Sequence, residues 1–153
     1  MASRFHGFLN SEQIDWRAGR PVFRLTAPLR YTSDLLGCTV VIPAGFVTDL
    51  ASVPRRLVTW FLTGGRAPRP AVVHDFPYQF GTFTRDDGST FEVSKDTADA
   101  VFAEAMAVDP ISGTNAVTRW LMWAGVRVGG RGVWEDARRV AELNPIVRDV
   151  DAA

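Results

Sequence analysis

Two histidines occur in this 153-residue chain, and one of them has a carboxylate beside it. His74 and Asp75 sit in the run PAVVHDFPYQF, from Pro70 to Phe80. Tyr78 follows four residues after His74 and shares its face if the run is helical. A second carboxylate, Asp99, lies in TADAVF, where apolar residues recur at helical spacing. Together these residues offer a base, a carboxylate to orient it and another carboxylate for a cation. The chemistry this allows is activation of a water towards an ester, amide or phosphodiester. His74 would be the base, Asp99 its orienter and Tyr78 a support. The plain alternative is a core histidine that hydrogen-bonds a neighbour. Pro77 removes a backbone donor and biases Phe76 away from helical geometry. The helix is therefore expected to kink or end near His74, with part of the run exposed and the histidine near a mouth in the surface.

A metal is optional in this chemistry. Zinc wants His and Cys ligands, and the chain has only His6, His74 and Cys38. A hard cation held by Asp75, backbone carbonyls and water fits better, so calcium is favoured over zinc. Asp49 and Ser52, in TDLASVPR, are additional candidate site residues. Their types also suit the N-cap of a following helix, which is the preferred reading. Ser52 lacks a G-x-S-x-G elbow and is not read as a nucleophile.

The elements that must position these residues divide into two halves. Up to Asp49 the chain is rich in β-branched and aromatic residues: GRPVFRLTAPLRYTS and GCTVVIPAGFVTD read as strands, with FHGFL as a further short one. Pro21, Pro28 and Pro43 place these strands at edges or ends. The second half reads as helices. DLASVPRRLVTWFL is one, and Pro70 opens the next, which carries His74. GTFTRDDGSTFEV reads as a hairpin turning at DDG. SKDTADAVFAEAMAV is a helix capped by Ser94, with Ala98, Val101, Phe102, Ala105 and Met106 on one face. SGTNAVTRWLMWAGVRVGG is expected to end at Gly129–Gly130, followed by a short last helix. The fold class is α+β: a small N-terminal antiparallel sheet followed by three to four helices. Residues 1–144 are expected to form one globular domain, with 145–153 as a loose tail.

Composition narrows the function. The formal net charge is zero, which gives no general attraction to nucleic acid or to an acidic membrane. One cysteine, Cys38, rules out an internal disulfide framework and reads as a buried thiol. Neither a signal peptide nor a transmembrane run is visible, so synthesis and folding in a cytoplasm are expected. Charge is uneven. Four arginines and no acids lie between Val53 and Pro70, whereas seven acids lie between Arg85 and Asp109. The two segments could attract each other, though solvated faces are the simpler reading. Trp120, Trp123 and Trp134, flanked by Arg119 and Arg127, are expected on an apolar helix packed on the core. A membrane-facing or partner surface, with Arg–Trp stacking, is the other reading.

The order FVTDLASVPR, AVVHDFPYQ, KDTADAVFAEAM resembles a family of tailed phages and prophages known as domain of unknown function 1353. The resemblance covers roughly Phe46 to Met106. It implies phage or prophage origin and synthesis in the host cytoplasm, with association with the virion as a further implication. It implies no known activity. Locally, GGRAPRPAVVHDFPY with the later ADAVF is similar to the centre of secreted type-A phospholipases and their parvoviral relatives. That similarity implies His74 activating a water, Asp99 holding the histidine, and Tyr78 in support. Asp75 and the carbonyls of the Gly64–Gly65 region would bind calcium. The chain departs from that family in having no cysteine framework, a poor glycine loop and Pro77 in the helix. Two functions remain open. One is a hydrolase acting on a host envelope component during entry or lysis. The other is a non-catalytic virion or tail component, in contact with other phage proteins, in which the same residues form a buried polar network.

Overall fold

The computed structural model describes residues 1–17, 20–49, 69–110 and 116–141. Ser52, Gly64, Gly65, the helix expected around Val53–Phe61 and the tail at 145–153 lie outside the described residues. The described chain is α+β, with antiparallel strands first and three helices after them. The strands are β1 (Arg4–His6), β2 (Ser11–Arg17), β3 (Arg20–Leu25), β4 (Leu29–Ser33), β5 (Cys38–Ile42) and β6 (Val47–Thr48). Helix α1 spans Arg69–Phe80, the hairpin β7 (Thr82–Thr84) and β8 (Thr90–Glu92) follows, and α2 (Lys95–Val108) and α3 (Ala116–Ala141) complete the order.

The strands form two three-stranded sheets, in the orders β1-β4-β5 and β2-β3-β6. In the first, Tyr31 sits opposite Val40 and Leu29 opposite Ile42. All four are buried, so this sheet turns an alternate set of apolar residues inward. The expected FHGFL strand is shorter, Arg4–His6, because Gly7 takes a positive φ of 86° that ends the extension. Strand β2 was not expected from the sequence. It is an edge strand with a register shift between Gln13 and Asp15, and it exposes Ile14 and Trp16.

Helix α1 differs from its sequence-based reading. Pro77 lies inside it without ending it. The proline falls in the last turn, so its missing N–H removes one bond near a terminus, and Gly81 N–H closes the end on the Pro77 carbonyl at 2.7 Å. Every residue from Arg69 to Tyr78 is buried. The helix packs against α2, α3, β5 and β7, so no side faces water. Among the described residues no surface mouth opens at His74, which is 0% exposed.

The second helix matches its pattern. Ser94 caps it by accepting from Thr97 N–H at 3.1 Å, and Ala98, Val101, Phe102, Ala105 and Met106 are buried. The third helix is one element of 26 residues. Gly129–Gly130 does not end it. A glycine costs about 1 kcal/mol inside a helix, and two can be carried by a long helix packed against two others.

Two carboxylates tie the layers together. Glu104 of α2 accepts from the hydroxyls of Ser3 (2.7 Å), Tyr31 (2.8 Å) and Ser33 (2.6 Å) and from Leu35 N–H (2.9 Å). Burial pushes its carboxyl up, but these donors outweigh it and hold it below its ordinary value. Asp109, after α2, takes Arg69 as a buried ion-pair partner, and Arg69 also reaches the Gly7 carbonyl at 2.7 Å. This joins one arginine of the basic segment to one acid of the acidic segment, in the core and not on solvated faces.

Candidate functional site

Helical spacing builds the site from two pairs. His74 and Tyr78 are four apart on α1, and Lys95 and Asp99 are four apart on α2. The two helices pack together and bring the pairs face to face. His74 Nε2 lies 2.9 Å from Asp99 Oδ1, and the Tyr78 hydroxyl donates to the same oxygen at 2.7 Å. Lys95 Nζ donates to Asp99 Oδ2 at 2.7 Å and to the Val126 carbonyl of α3 at 3.3 Å. His74, Asp99 and Tyr78 are all buried.

One carboxylate thus collects three donors. Burial pushes Asp99 up, but the bonds from His74, Lys95 and Tyr78 outweigh it and leave the carboxyl below its ordinary value. An ionised Asp99 can only accept, so His74 Nε2 carries the proton and donates. The basic lone pair is then on Nδ1. Burial dominates at His74 and lowers its pKa below the ordinary histidine value, despite the attraction of Asp99. The imidazole is neutral near pH 7, as a general base must be. Tyr78 is pushed well above its ordinary value, first by burial and then by its bond to Asp99, so it remains a donor.

Aromatic rings enclose the imidazole. The Tyr78 ring lies 4.1 Å from it and Phe102 lies 4.7 Å from it, centroid to centroid. Trp134 of α3 meets Tyr78 edge-on at 4.9 Å. Trp134, half-buried, therefore adds to the wall behind the site. Trp123 is half-buried with Arg127 over its ring at 5.3 Å, whereas Trp120 is exposed, against the expectation of core packing.

Asp75 points away from His74. It accepts a hydrogen bond from the Thr48 hydroxyl at the end of β6, and Gln79 Nε2 donates to the Val47 carbonyl at 3.1 Å. These two contacts seat α1 on β6. Asp49 is half-buried next to Thr48 in the chain. Among the described residues no group of three or more His, Cys, Asp and Glu side chains could hold a metal ion. The carbonyls of Gly64 and Gly65 lie outside them.

Over residues 23–126, more than half of the chain, the sequence matches the model of a family described as "Protein of unknown function (DUF1353)". The chain belongs to this family. The match runs from β3 into α3 and includes His74, Asp75, Tyr78, Lys95 and Asp99. No curated protein and no solved structure matches the chain. For this DUF1353 member the residues themselves must carry the functional argument.

Sequence reasoning did not place Lys95 or Thr48 at the site. The i, i+4 spacing of Lys95 to Asp99 was a usable signal, since a cation one turn before a carboxylate pairs with it. Thr48 carried no such signal, because its contact crosses from a two-residue strand to a helix 27 positions away.

The titration of His74 makes a prediction. As pH falls, the unfolded chain binds this proton first, at about pH 6.5, while the folded site resists it. Stability is therefore full above about pH 6.5 and falls below it by about 1.4 kcal/mol per pH unit, until the folded pKa is passed. Asp99 and Glu104, whose carboxyls are lowered, lose their contributions only at more acidic pH. Urea unfolding at about pH 7.5 and about pH 5.5 should show the loss, and His74→Gln should flatten it. An equal pH dependence in both proteins would mean that His74 is not held neutral by the fold.

Proposed function

We propose that this protein is a hydrolase of carboxylic esters in a host envelope, encoded by a phage or prophage. His74 is the general base, Asp99 orients it and Tyr78 supports Asp99. The observation that supports it is the hydrogen-bonded His74–Asp99–Tyr78 set on two packed helices. Asp99 fixes the imidazole tautomer, and Tyr78 and Lys95 fix Asp99. In the reaction Nδ1 of His74 takes a proton from water as the water oxygen attacks the ester carbonyl carbon. The tetrahedral intermediate then loses its alkoxide, which receives the proton from the imidazolium. The products are an alcohol and a carboxylic acid, which releases its remaining proton to solvent and leaves as the carboxylate. Because the ring is fully enclosed, this chemistry requires an opening that admits water and the ester carbonyl to Nδ1. Asp75 is turned away from His74 onto Thr48 and would have to leave that contact to hold a divalent cation, calcium before zinc, beside the substrate. Such a cation would polarise the carbonyl.

Esters rank first among the possible substrates through the local similarity to type-A phospholipases. The test is incubation of the purified protein with vesicles of phosphatidylglycerol and phosphatidylethanolamine, with and without calcium, followed by mass spectrometry. Fatty acid and lysolipid in equal amounts support the reading. Intact lipid under both conditions removes the lipase form of it.

The complete burial of His74 favours a second reading. In it the network is structural and joins α1, α2 and α3 in a virion or tail component through Asp99, Lys95 and the Val126 carbonyl. A folded, inactive protein that assembles into particles would support that reading instead.

A further inference from the structure

The sheet β1-β4-β5 turns one face to the helices. Phe5 stacks on Tyr31, Tyr31 donates to Glu104 of α2, and Val40 and Ile42 are buried in the core. Strand alternation turns the intervening residues the other way. Arg4 and His6 flank Phe5, Arg30 precedes Tyr31, and all three basic residues are exposed. The register sets four side chains in a square on this outer face: Arg4 opposite Thr32, and His6 opposite Arg30. One diagonal is closed by a 2.7 Å hydrogen bond between His6 Nε2 and Thr32 Oγ1. The other diagonal holds two guanidinium groups. Diagonal neighbours lie about 7–8 Å apart, within reach of long side chains, and like charges on paired strands are destabilising. Strands β1, β4 and β5 carry no Asp or Glu to offset them. Among the described residues neither Arg4 nor Arg30 has an ion-pair partner. The surrounding acids are placed elsewhere. Glu104 lies on the inner face with its own donors. Asp34, after β4, pairs with the Met1 ammonium at 3.3 Å. Asp86 lies beyond β5, its N–H on the Thr39 carbonyl at 3.2 Å, so β5 separates it from Arg30.

We propose that Arg4 and Arg30, with His6 beside them, bind a phosphate dianion, either free phosphate or the terminal group of a small phosphomonoester. A terminal phosphate carries about −1.5 to −2 charges at pH 7 and three strong acceptor oxygens. Two guanidinium forks match that charge and can divide those oxygens between them, each giving paired N–H donors. A phosphodiester carries one charge and fewer terminal oxygens, and fits the pair less well. An anion here would also remove the repulsion that the empty square carries. The site lies across the sheet from α2, so a protein with an inert His74 would bind phosphate in the same way.

Thermal unfolding in inorganic phosphate, at an ionic strength held constant with chloride, tests it. Phosphate should raise the Tm of the wild-type chain, as a ligand of the native state must. Because phosphate also strengthens burial in any protein, the reference is Arg4→Gln combined with Arg30→Gln. That variant should be no less stable than the wild type in chloride and should gain much less from phosphate. Should it unfold, Arg30→Lys decides, since it keeps the charge and loses the fork. Titration of 15N-labelled protein with inorganic phosphate should shift the side-chain Nε signals of Arg4 and Arg30. The Kd should rise about tenfold in Arg30→Lys. Glycerol 1-phosphate bound at least as tightly as inorganic phosphate would assign the site to a phosphomonoester, and weaker binding to the free ion. An equal Tm gain in the wild type and the double variant would overturn the proposal. So would unshifted arginine signals, or a Kd unchanged in Arg30→Lys.

Discussion

Asp99→Ala is expected to lower the free energy of unfolding by about 3–5 kcal/mol, the range for removing one partner of a buried charged pair. The size follows from what is left behind. Lys95 keeps an ammonium whose side chain is only 15% exposed, and Tyr78 and His74 lose the oxygen they share. Each donor left unsatisfied in the interior costs about 1–3 kcal/mol by itself, and the three losses do not simply add. Asp99→Asn should cost less. Its amide oxygen can still accept from His74 and Tyr78, but its NH2 group then meets Lys95 donor to donor. Urea denaturation at neutral pH measures both. A loss below about 1 kcal/mol for Asp99→Ala would show that the network does not hold the three helices together.

His74→Gln is expected to reduce ester hydrolysis by about 10²–10⁴-fold, the usual contribution of a positioned general base. Glutamine can donate its amide hydrogen to Asp99 and fills much of the same space, so the fold should survive. It has no basic lone pair at neutral pH. The comparison needs an unchanged Tm or near-ultraviolet spectrum to separate chemistry from unfolding. A folded His74→Gln protein that keeps its rate within about threefold would take the base role from His74. Asp99→Asn should fall between the two, because an amide no longer favours the imidazolium that forms during the reaction.

The sequence made the pairing of His74 with Asp99 readable before any coordinates. The two residues lie on neighbouring helices, one needing an acceptor and one offering it, and the packing of α1 on α2 brings them together. The hairpin was equally readable, since Asp86, Asp87 and Gly88 demand a turn, and Gly88 takes a φ of 86°. The failures have particular causes. Strand β2 reads SEQIDWR and lies at an edge, where neither apolar alternation nor burial is needed. Gly129–Gly130 reads as a stop, but packing on α1 and α2 outweighed local propensity and α3 continued. Pro77 reads as a break near His74, but it fell where a helix has few bonds left to lose. The burial of His74 was hidden for a related reason: whether a short apolar helix is covered on one side or on all sides depends on its neighbours, not on its own residues. Trp134 and Trp120 have the same composition cue, yet one packs on Tyr78 and the other faces outward.

The central claim is that Asp99 holds His74 as a buried neutral imidazole with its proton on Nε2 and its lone pair on Nδ1. Long-range proton–nitrogen correlation spectroscopy of the 15N-labelled protein reads this directly, and with two histidines in the chain His74→Gln assigns the signals. A neutral Nε2–H tautomer is expected for His74 at pH 7, persisting below the ordinary histidine pKa of about 6.5. An Nδ1–H tautomer, or an imidazolium already formed at neutral pH, would contradict it.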